Sequence, residues 1–566
     1  MKSIDNYFAH STVSLKQALT LSAFGGITTG TVTLNGKPMT TQVFTNHCYV
    51  VQQQDAHWAF LTCRETLMFA AELYLGKSSA EVAGQVDALI GTMGLDSCKD
   101  TRCGNQFMQG LSGGQKRRLS IAIALIKQPK LIFLDEPTSG LDAAAAANIM
   151  AAIKDLAASS NLIIVATIHQ PSSKVYKNFD QVMLLSGGRE AYCGTAVDAA
   201  DYFTSLGWPM NENTNPAEFF LDLVNADFIP QSEVNKILIA WSVKRDLVNK
   251  HFQTIEPESA FEGDSMSPIR SMCHESFVML NRHALLSVRD PVFYVGRAII
   301  FLVANVYFAL VYWEARQLEQ DQIFNRMYLC IWYIGVAANM GVVAVFALNA
   351  EYKSVHKEIK NGMVKPESYL FAKSLLEIPV MFIFAIFALT IPAYAISDFY
   401  LPHYFSNVFV WAVSIYAWES LAQALSVAFD NPLLGMMQFM GCWFSGFLFC
   451  GVFIPPDDIQ WPFKLFYYTF PLKNALRTMV HIEFIDNTFP ECTTSNVICF
   501  GADGNMILDT IGNIYELFSS KDTYGEDVAC LLAIAFVCKA FYFAILIKKS
   551  RSTSRFDGPL DSASVP

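Results

Sequence analysis

The chain has 566 residues, 52% of them hydrophobic and 16% charged, with 40 Lys and Arg against 51 Asp and Glu for a formal net charge of -11. That balance excludes nucleic acid as an expected partner, because nucleic-acid binding wants a basic face. The first half carries mixed charge and only strand-length apolar runs, whereas the second carries several runs near the roughly 20 residues that span a bilayer, so a globular part joined to a membrane part is expected.

The N-terminus, MKSIDNYFAHS, lacks a basic-then-apolar leader pattern, so membrane targeting is expected from internal spans. Thr31 to Leu34 reads as a short strand followed by an Asn35-Gly36 turn. HCYVVQQQD reads as a second apolar strand that ends in glutamines. From Leu61 to Leu75 the apolar spacing becomes helical, and Thr62 precedes Glu65 by three residues, the pattern of a capping box. Cys48, Cys63, Cys98, Cys103 and Cys193 show no metal spacing with nearby histidines and read as reduced thiols.

Ser112 stands where a helix N-cap belongs, ahead of KRRLSIAIALIK. Gly113 and Gly114 let a ligand or another backbone come close, and the positive end of the helix suits an anion. Leu131 to Leu134 is four consecutive apolar residues between Pro129 and Pro137, the signature of a buried parallel strand. Asp135 and Glu136 then fall at its carboxyl end, where open α/β sheets bind ligands. An aspartate there suits Mg2+, and a neighbouring glutamate suits orienting or deprotonating a water. A third strand, Leu162 to Thr167, leads to His169, and QVMLLSGGREAYCG reads as a hairpin around Gly187-Gly188. Taken singly, each feature has a plainer reading: a Ser-capped helix, a solvated acidic strand end, a loop histidine.

Taken in order, the glutamine strand end, LSGGQ (Leu111 to Gln115), LIFLDEP (Leu131 to Pro137), SGLD (Ser139 to Asp142) and IHQ resemble the ATP-binding cassette ATPase domain. TVTLNG, LTCRETL, LDEPTSGLD, IHQPSS and NPAEFFLDLVN (Asn215 to Asn225) resemble its subfamily G, the white and pleiotropic-drug-resistance group, across essentially the whole chain. The resemblance implies an α/β cassette domain, incomplete at its N-terminus, followed by an all-α six-helix transmembrane domain. By motif it implies Asp135 and the glutamine of the strand end as ligands of Mg2+, Glu136 as the catalytic carboxylate and His169 as the switch histidine. That glutamine is Gln53 counting back from Arg64-Glu65, or Gln52 counting forward from Tyr49-Val50; Gln53 is preferred. Ser112, Gly113, Gly114 and Gln115 would meet the γ-phosphate of an ATP held by a partner domain, with Asp142 at the dimer seam.

A phosphate loop needs the pattern GxxxxGK[ST], and this pattern does not occur in the 566 residues. FAHSTVSLKQALTLSAFGG stands in its place, with Thr12 at the lysine position. The expectation is a sequence truncated before or within that loop, or a subunit with a degenerate site.

A Ser-, Glu- and Pro-bearing linker, about 254–268, separates the halves, and the resemblance implies an amphipathic connecting helix after it, ending in Arg289-Asp290-Pro291. The expected domains are an ATPase domain at 1–245, linker and connecting helix at 246–292, transmembrane domain at 293–550 and a tail at 551–566. Six spans are expected at about 296–315, 325–349, 374–396, 404–428, 433–454 and 528–547. Lys353, Lys357, Lys360, Lys365 and Lys373 between spans two and three, and Lys548, Lys549 and Arg551 after span six, place both termini in the cytosol of a plasma or internal membrane. Cys492 and Cys499 then lie on the outer side, and the resemblance implies a disulfide there. Glu419 and Lys539 fall deep within spans four and six and are expected to pair, since a lone charge at that depth is costly.

Two functions fit. The first is ATP-dependent export of lipids, sterols or apolar xenobiotics by a dimer of half-transporters, each ATP lying between two chains. The alternative is a non-hydrolysing or regulatory membrane subunit that contributes only its LSGGQ side to a heterodimer.

Overall fold

A computed structural model describes residues 32–552 apart from 35–36, 54, 56, 106–107, 212–213, 253–270 and 491–498. Thr12, the Asn35-Gly36 turn, the 254–268 linker and Cys492 lie outside the described residues. The chain divides into two compact units, one holding residues up to Glu275 together with Lys357–Lys365, the other holding Ser276–His356 and Pro366–Lys549.

In the first unit, β1 (Thr33–Leu34) and β2 (Lys37–Pro38) form a short antiparallel pair. β3 (Cys48–Val51), β4 (Leu131–Asp135) and β5 (Ile163–Thr167) form a parallel sheet in that order. β4 is central, and its first four residues are all buried. That explains their unbroken apolar run, because a strand covered on both faces cannot alternate. Phe44 and Phe133 stack at 6.2 Å within a core that includes Met39, Cys48, Val50 and Leu131. The register pairs Val51 with Leu134 and Asp135 with Thr167, so the carboxyl ends of all three strands finish at one edge.

The helix Cys63–Leu75 begins in the expected capping box: Thr62 accepts from the Glu65 N–H, and Glu65 reaches back to the Thr62 N–H. β6 (Gln181–Ser186) and β7 (Arg189–Thr195) form the expected hairpin, closed by Gly187 and Gly188 at φ of 52° and 75°. Both angles suit a tight hairpin turn that other residues adopt with strain. The hairpin packs with Ala199–Ser205, Pro216–Leu223 and Gln231–Phe252 around Tyr192, Phe203, Phe220 and Trp241. Cys48, Cys63, Cys98, Cys103 and Cys193 are all free thiols.

The second unit is helical. Among the described residues, five helical stretches, lying wholly or mostly in this unit, are long and apolar enough to cross a membrane: Phe293–Val311, Gln320–Lys360, Pro366–Ile396, Leu401–Ala428 and Tyr524–Ser550. The region expected as span five forms the helix Pro432–Leu448, 17 residues long and ending before the expected 454. Its neighbour in space is fixed by Gly341, where an added Cβ would run into the Phe439 ring. Only glycine allows that approach. Trp411 and Trp418 fill the interior, with Trp418 stacked on Phe470 at 5.4 Å.

The membrane charges are arranged differently from the sequence expectation. Glu419 does not pair with Lys539. It accepts two bonds from Arg297, at 3.1 and 2.8 Å, while Lys539 donates to Glu377 at 2.5 Å and to Gln423 at 2.6 Å. The cause is helical phase and register. Glu419 and Gln423 lie one turn apart on Tyr404–Ala428, so the helix that carries Glu419 meets Lys539 with its glutamine instead. Glu377 and Arg297 sit near the ends of their expected spans, where a sequence pattern reads them as flanking charges. Cys499 is disulfide-bonded.

Candidate functional site

The site is built where β3, β4 and β5 end. Val51 closes β3, and Gln53 follows two residues on, turned so that its side-chain amide donates to the Glu136 carboxylate at 2.6 Å. Of the two candidate glutamines, Gln53 therefore faces the acidic strand end, whereas Gln52 takes part through its backbone carbonyl. Asp135 is the last residue of β4 and accepts from the Thr167 hydroxyl, across the ladder on β5, at 2.9 Å.

Glu136 sits at φ 44°, in the left-handed region that a non-glycine residue occupies at a cost. The surroundings hold it there. Its N–H donates to the Thr167 carbonyl at 3.0 Å and hydroxyl at 3.1 Å, and its carbonyl accepts from Ser139 N–H at 3.0 Å and from Arg117 at 3.1 Å. The turn aims the carboxylate out of the sheet line and into a cavity of about 650 Å³. His169 and Gln170 line the same cavity, as do Ser186, Arg189 and Asn235. His169 is exposed, on the loop that leaves β5.

The LSGGQ residues form a second cluster. Ser112 is the N-cap of the helix Gly113–Ile126: its hydroxyl accepts from the Gln115 N–H at 3.3 Å, and the Gln115 side chain accepts from the Ser112 N–H at 2.8 Å. Gln115 is thus a capping residue as well as part of the motif. A Cβ added at Gly113 or Gly114 would meet only the Leu141 side chain, at 3.7 and 3.9 Å, ordinary contact distances. Among the described residues, no packing contact demands glycine at either place. Asp142, one residue past Leu141, caps the helix Ala143–Ser160 by accepting from the Ala145 N–H at 2.8 Å.

The structure therefore brings Gln53, Asp135, Glu136 and His169 around one strand edge, and Ser112 to Gly114 beside the segment that carries Asp142. Sequence reasoning missed the residues that hold these parts in place. Thr167 is one. Arg117 is another, and it had a readable signal: it shares a helix face with Ile121 and Ala124, at i+4 and i+7, so a charge sits in a buried stripe. A third is Asn361, whose side chain accepts from the Val50 N–H at 3.0 Å and donates to the Val50 carbonyl at 3.3 Å. The amide acts as a strand partner to β3. Burial depresses the pKa of His57, which lies within 3.1 Å of the Lys116 carbonyl and of the Ser120 hydroxyl.

Two strand-end acids beside a glutamine, with a serine-capped glycine turn on a neighbouring helix, match the order of parts in nucleotide-hydrolysing cassettes. A family profile described as ABC transporter matches residues 17–139, and two described as ABC-2 type transporter match 169–264 and 274–484. The chain thus joins an ABC transporter ATPase domain to an ABC-2 type membrane domain, the make-up of the G family ABC transporters it resembles. It is 28% identical over 558 residues to ABC transporter G family member 11 of Arabidopsis thaliana, covering 93% of this chain and 77% of that protein. ATP-binding cassette sub-family G member 8 of Rattus norvegicus is 29% identical over 381 residues, covering 63% of this chain. ABC transporter G family member 7 of Arabidopsis thaliana is 34% identical over 372 residues, covering 62% of this chain. The chain spans 54% and 50% of the lengths of these last two relatives. The ATPase module comes first and the membrane module second, the half-transporter arrangement, and the chain is an integral membrane protein.

Proposed function

We propose that the chain is one half of a dimeric exporter that uses ATP to move apolar molecules, of the lipid, sterol or xenobiotic class, across a membrane. The observation that carries this reading is the open face at Gly113 and Gly114, where no contact among the described residues requires glycine. Space kept free at a helix N-terminus, whose unpaired N–H groups and dipole favour negative charge, suits a phosphate brought by a second subunit. Ser112 and Gly113 then close on the γ-phosphate of an ATP whose other side the partner holds.

On its own side of the seam the chain supplies Glu136 to orient and deprotonate the attacking water, and His169 faces the same cavity to steady the phosphate being released. Mg2+ fits the strand edge, because a carboxylate oxygen of Asp135 and the amide oxygen of Gln53 are hard donors, and this ion asks for only one or two protein ligands beside phosphates. When bound, it would neutralise phosphate charge; Asp135 and Gln53 are the residues that would hold it. The Gln53–Glu136 bond keeps the carboxylate oriented meanwhile.

We assign residues 1–245 to the ATPase domain, 246–292 to the linker and connecting helix, 293–550 to the membrane domain and 551–566 to a tail. Both termini are placed in the cytosol. Support comes from Lys357–Lys365, the basic turn between spans two and three, which belongs to the same compact unit as the ATPase residues. Apolar cargo is supported by Leu433, Met437, Met440 and Phe444, all exposed along one face of Pro432–Leu448. Methionine and aromatic side chains adapt to varied apolar shapes.

The test is ATP-dependent uptake of labelled phospholipid, sterol and apolar dye into vesicles carrying the purified dimer. Uptake should vanish with Glu136→Gln and with Gly113→Asp. Uptake that survives both changes, or no ATP-dependent uptake of any apolar class, would reject the reading.

A further inference from the structure

Arg117 is 2% exposed, and its guanidinium is spent on loops rather than on a ligand. It donates to the Gln52 carbonyl at 2.8 Å, to the Gln53 carbonyl at 3.0 Å and to the Glu136 carbonyl at 3.1 Å, and it meets the Asp55 carboxylate at 3.3 Å. Asp55 is held in turn by the Ser120 hydroxyl at 2.6 Å, from the same helix as Arg117. A buried charge with four oxygen partners needs a planar fork of donors, which arginine has and lysine lacks. Its partners come from both elements whose side chains must meet, the loop after β3 and the turn after β4. Each is met at the backbone, so the fork fixes the main chain and leaves the Gln53 and Glu136 side chains free to bond each other.

Arg117 also stands one turn from Ser112 on the helix Gly113–Ile126. A displacement of that helix by a phosphate at its N-terminus therefore reaches Gln53 and Glu136 through one rigid side chain. We propose that Arg117 is a positioning residue that registers Gln53 against Glu136 and ties both to the Ser112 helix, so that the ATP seated on this chain's LSGGQ face sets the catalytic geometry of this chain's own strand edge. The inference rests on the ATPase reading given above; the clasp itself rests on the contacts alone.

The experiment compares full-length wild-type protein with Arg117→Gln, Arg117→Lys and Arg118→Gln. Arg118 is the control, because it too spends its guanidinium on backbone carbonyls, Met93 at 3.1 Å and Gly94 at 2.8 Å, but touches neither loop. Amide hydrogen exchange without nucleotide should speed up together in 50–55 and 136–139 for Arg117→Gln, and in neither for Arg118→Gln. In the ATPase assay Arg117→Gln should lower kcat about tenfold to a hundredfold at little-changed KM for ATP, the loss expected from a slightly misplaced catalytic group. Arg117→Lys, which keeps the charge that Asp55 needs, guards against misfolding and should show a smaller loss. Exchange that rises in only one segment, or equally for both glutamine variants, overturns the clasp, as does a loss confined to KM. A wild-type protein that hydrolyses no ATP rejects the ATPase reading, and the exchange comparison then decides the clasp by itself.

Discussion

The two units handle charge in opposite ways. At the strand edge of the first, Asp135 and Glu136 are half-buried, and their carboxylates accept from neutral donors, the Thr167 hydroxyl and the Gln53 amide, with Glu136 lining a cavity. In the second, Glu377, Glu419 and Glu483 are buried and each is matched to a cation: Lys539, Arg297 and Arg326. A charge proposed to act is oriented by neutral partners that do not neutralise it. A charge that must survive out of water is consumed by its partner, since the cost of stranding it exceeds the gain from pairing it.

The largest expected effect tests the first half of that contrast. Glu136→Gln keeps the shape and the acceptor for Gln53 but removes the proposed base. ATP hydrolysis should fall by a factor of about 10²–10⁴, the usual worth of a positioned general base. Folded yield and thermal midpoint should stay at wild-type values, because the turn at Glu136 is held through its backbone. A comparable drop in yield would mean that this carboxylate is structural, like those of the second unit.

Next is the ion pair most fully withdrawn from water, Arg326 with Glu483. Arg326 donates to Glu483 at 2.7 Å and to the carbonyls of Ala315, Ser397 and Asp398, and Glu483 also accepts from the Tyr400 N–H at 3.1 Å. Arg326→Met leaves that carboxylate stranded and should cost about 3–5 kcal/mol of stability. Monodisperse protein recovered in detergent reports it. Recovery near the wild-type level would show that water reaches Glu483, and the contrast between the units would fail at this point.

How these arrangements could be read in advance differs between the units for a physical reason. Helix and strand periodicity, capping boxes and the acidic strand end are local, so the buried strand Leu131–Leu134, the Thr62 and Ser112 caps and the place of Glu136 at a strand end were legible from spacing, whereas the turn at Glu136 was not. Gln53 was narrowed from two glutamines, and only the side-chain geometry decides between them. Membrane ion pairs join residues far apart in sequence, such as 297 with 419 and 377 with 539, through the rotational phase of helices that hydropathy does not set. The costly charges could therefore be found, but their partners could not. Arg117, Thr167 and Asn361 were missed likewise: their work lies in the backbone groups that they meet.

A pair of mutant cycles sharpens the corrected pairing. Lys539 and Glu377 share bonds with each other and with Gln423, which also donates to Glu377. Lys539→Met with Glu377→Gln should show a coupling of about 0.5–3 kcal/mol, the range for residues in one network. Lys539→Met with Glu419→Gln should be additive to within about 0.5 kcal/mol, since they have different partners. Folded fraction against a denaturing detergent gives both cycles. Coupling in the second cycle as large as in the first would restore a direct Glu419–Lys539 interaction.

The smallest effect is the most instructive, because it holds bond geometry constant. Arg64 and Asp87 form a two-bond fork at 2.8 and 3.0 Å, close to the 3.1 and 2.8 Å of Arg297 with Glu419. Their side chains are 39% and 52% exposed, against 2% and 3% for the membrane pair. Water already solvates both partners at the surface, so losing one strands nothing, and ordering two long side chains offsets what attraction remains. Arg64→Met should leave the thermal midpoint within error of wild type, and any residual difference should disappear as salt screens it. Arg297→Met, with the same two bonds removed, should lower folded yield sharply at every salt concentration. Equal responses from the two variants would show that bond geometry, rather than exposure to water, decides what an ion pair contributes here.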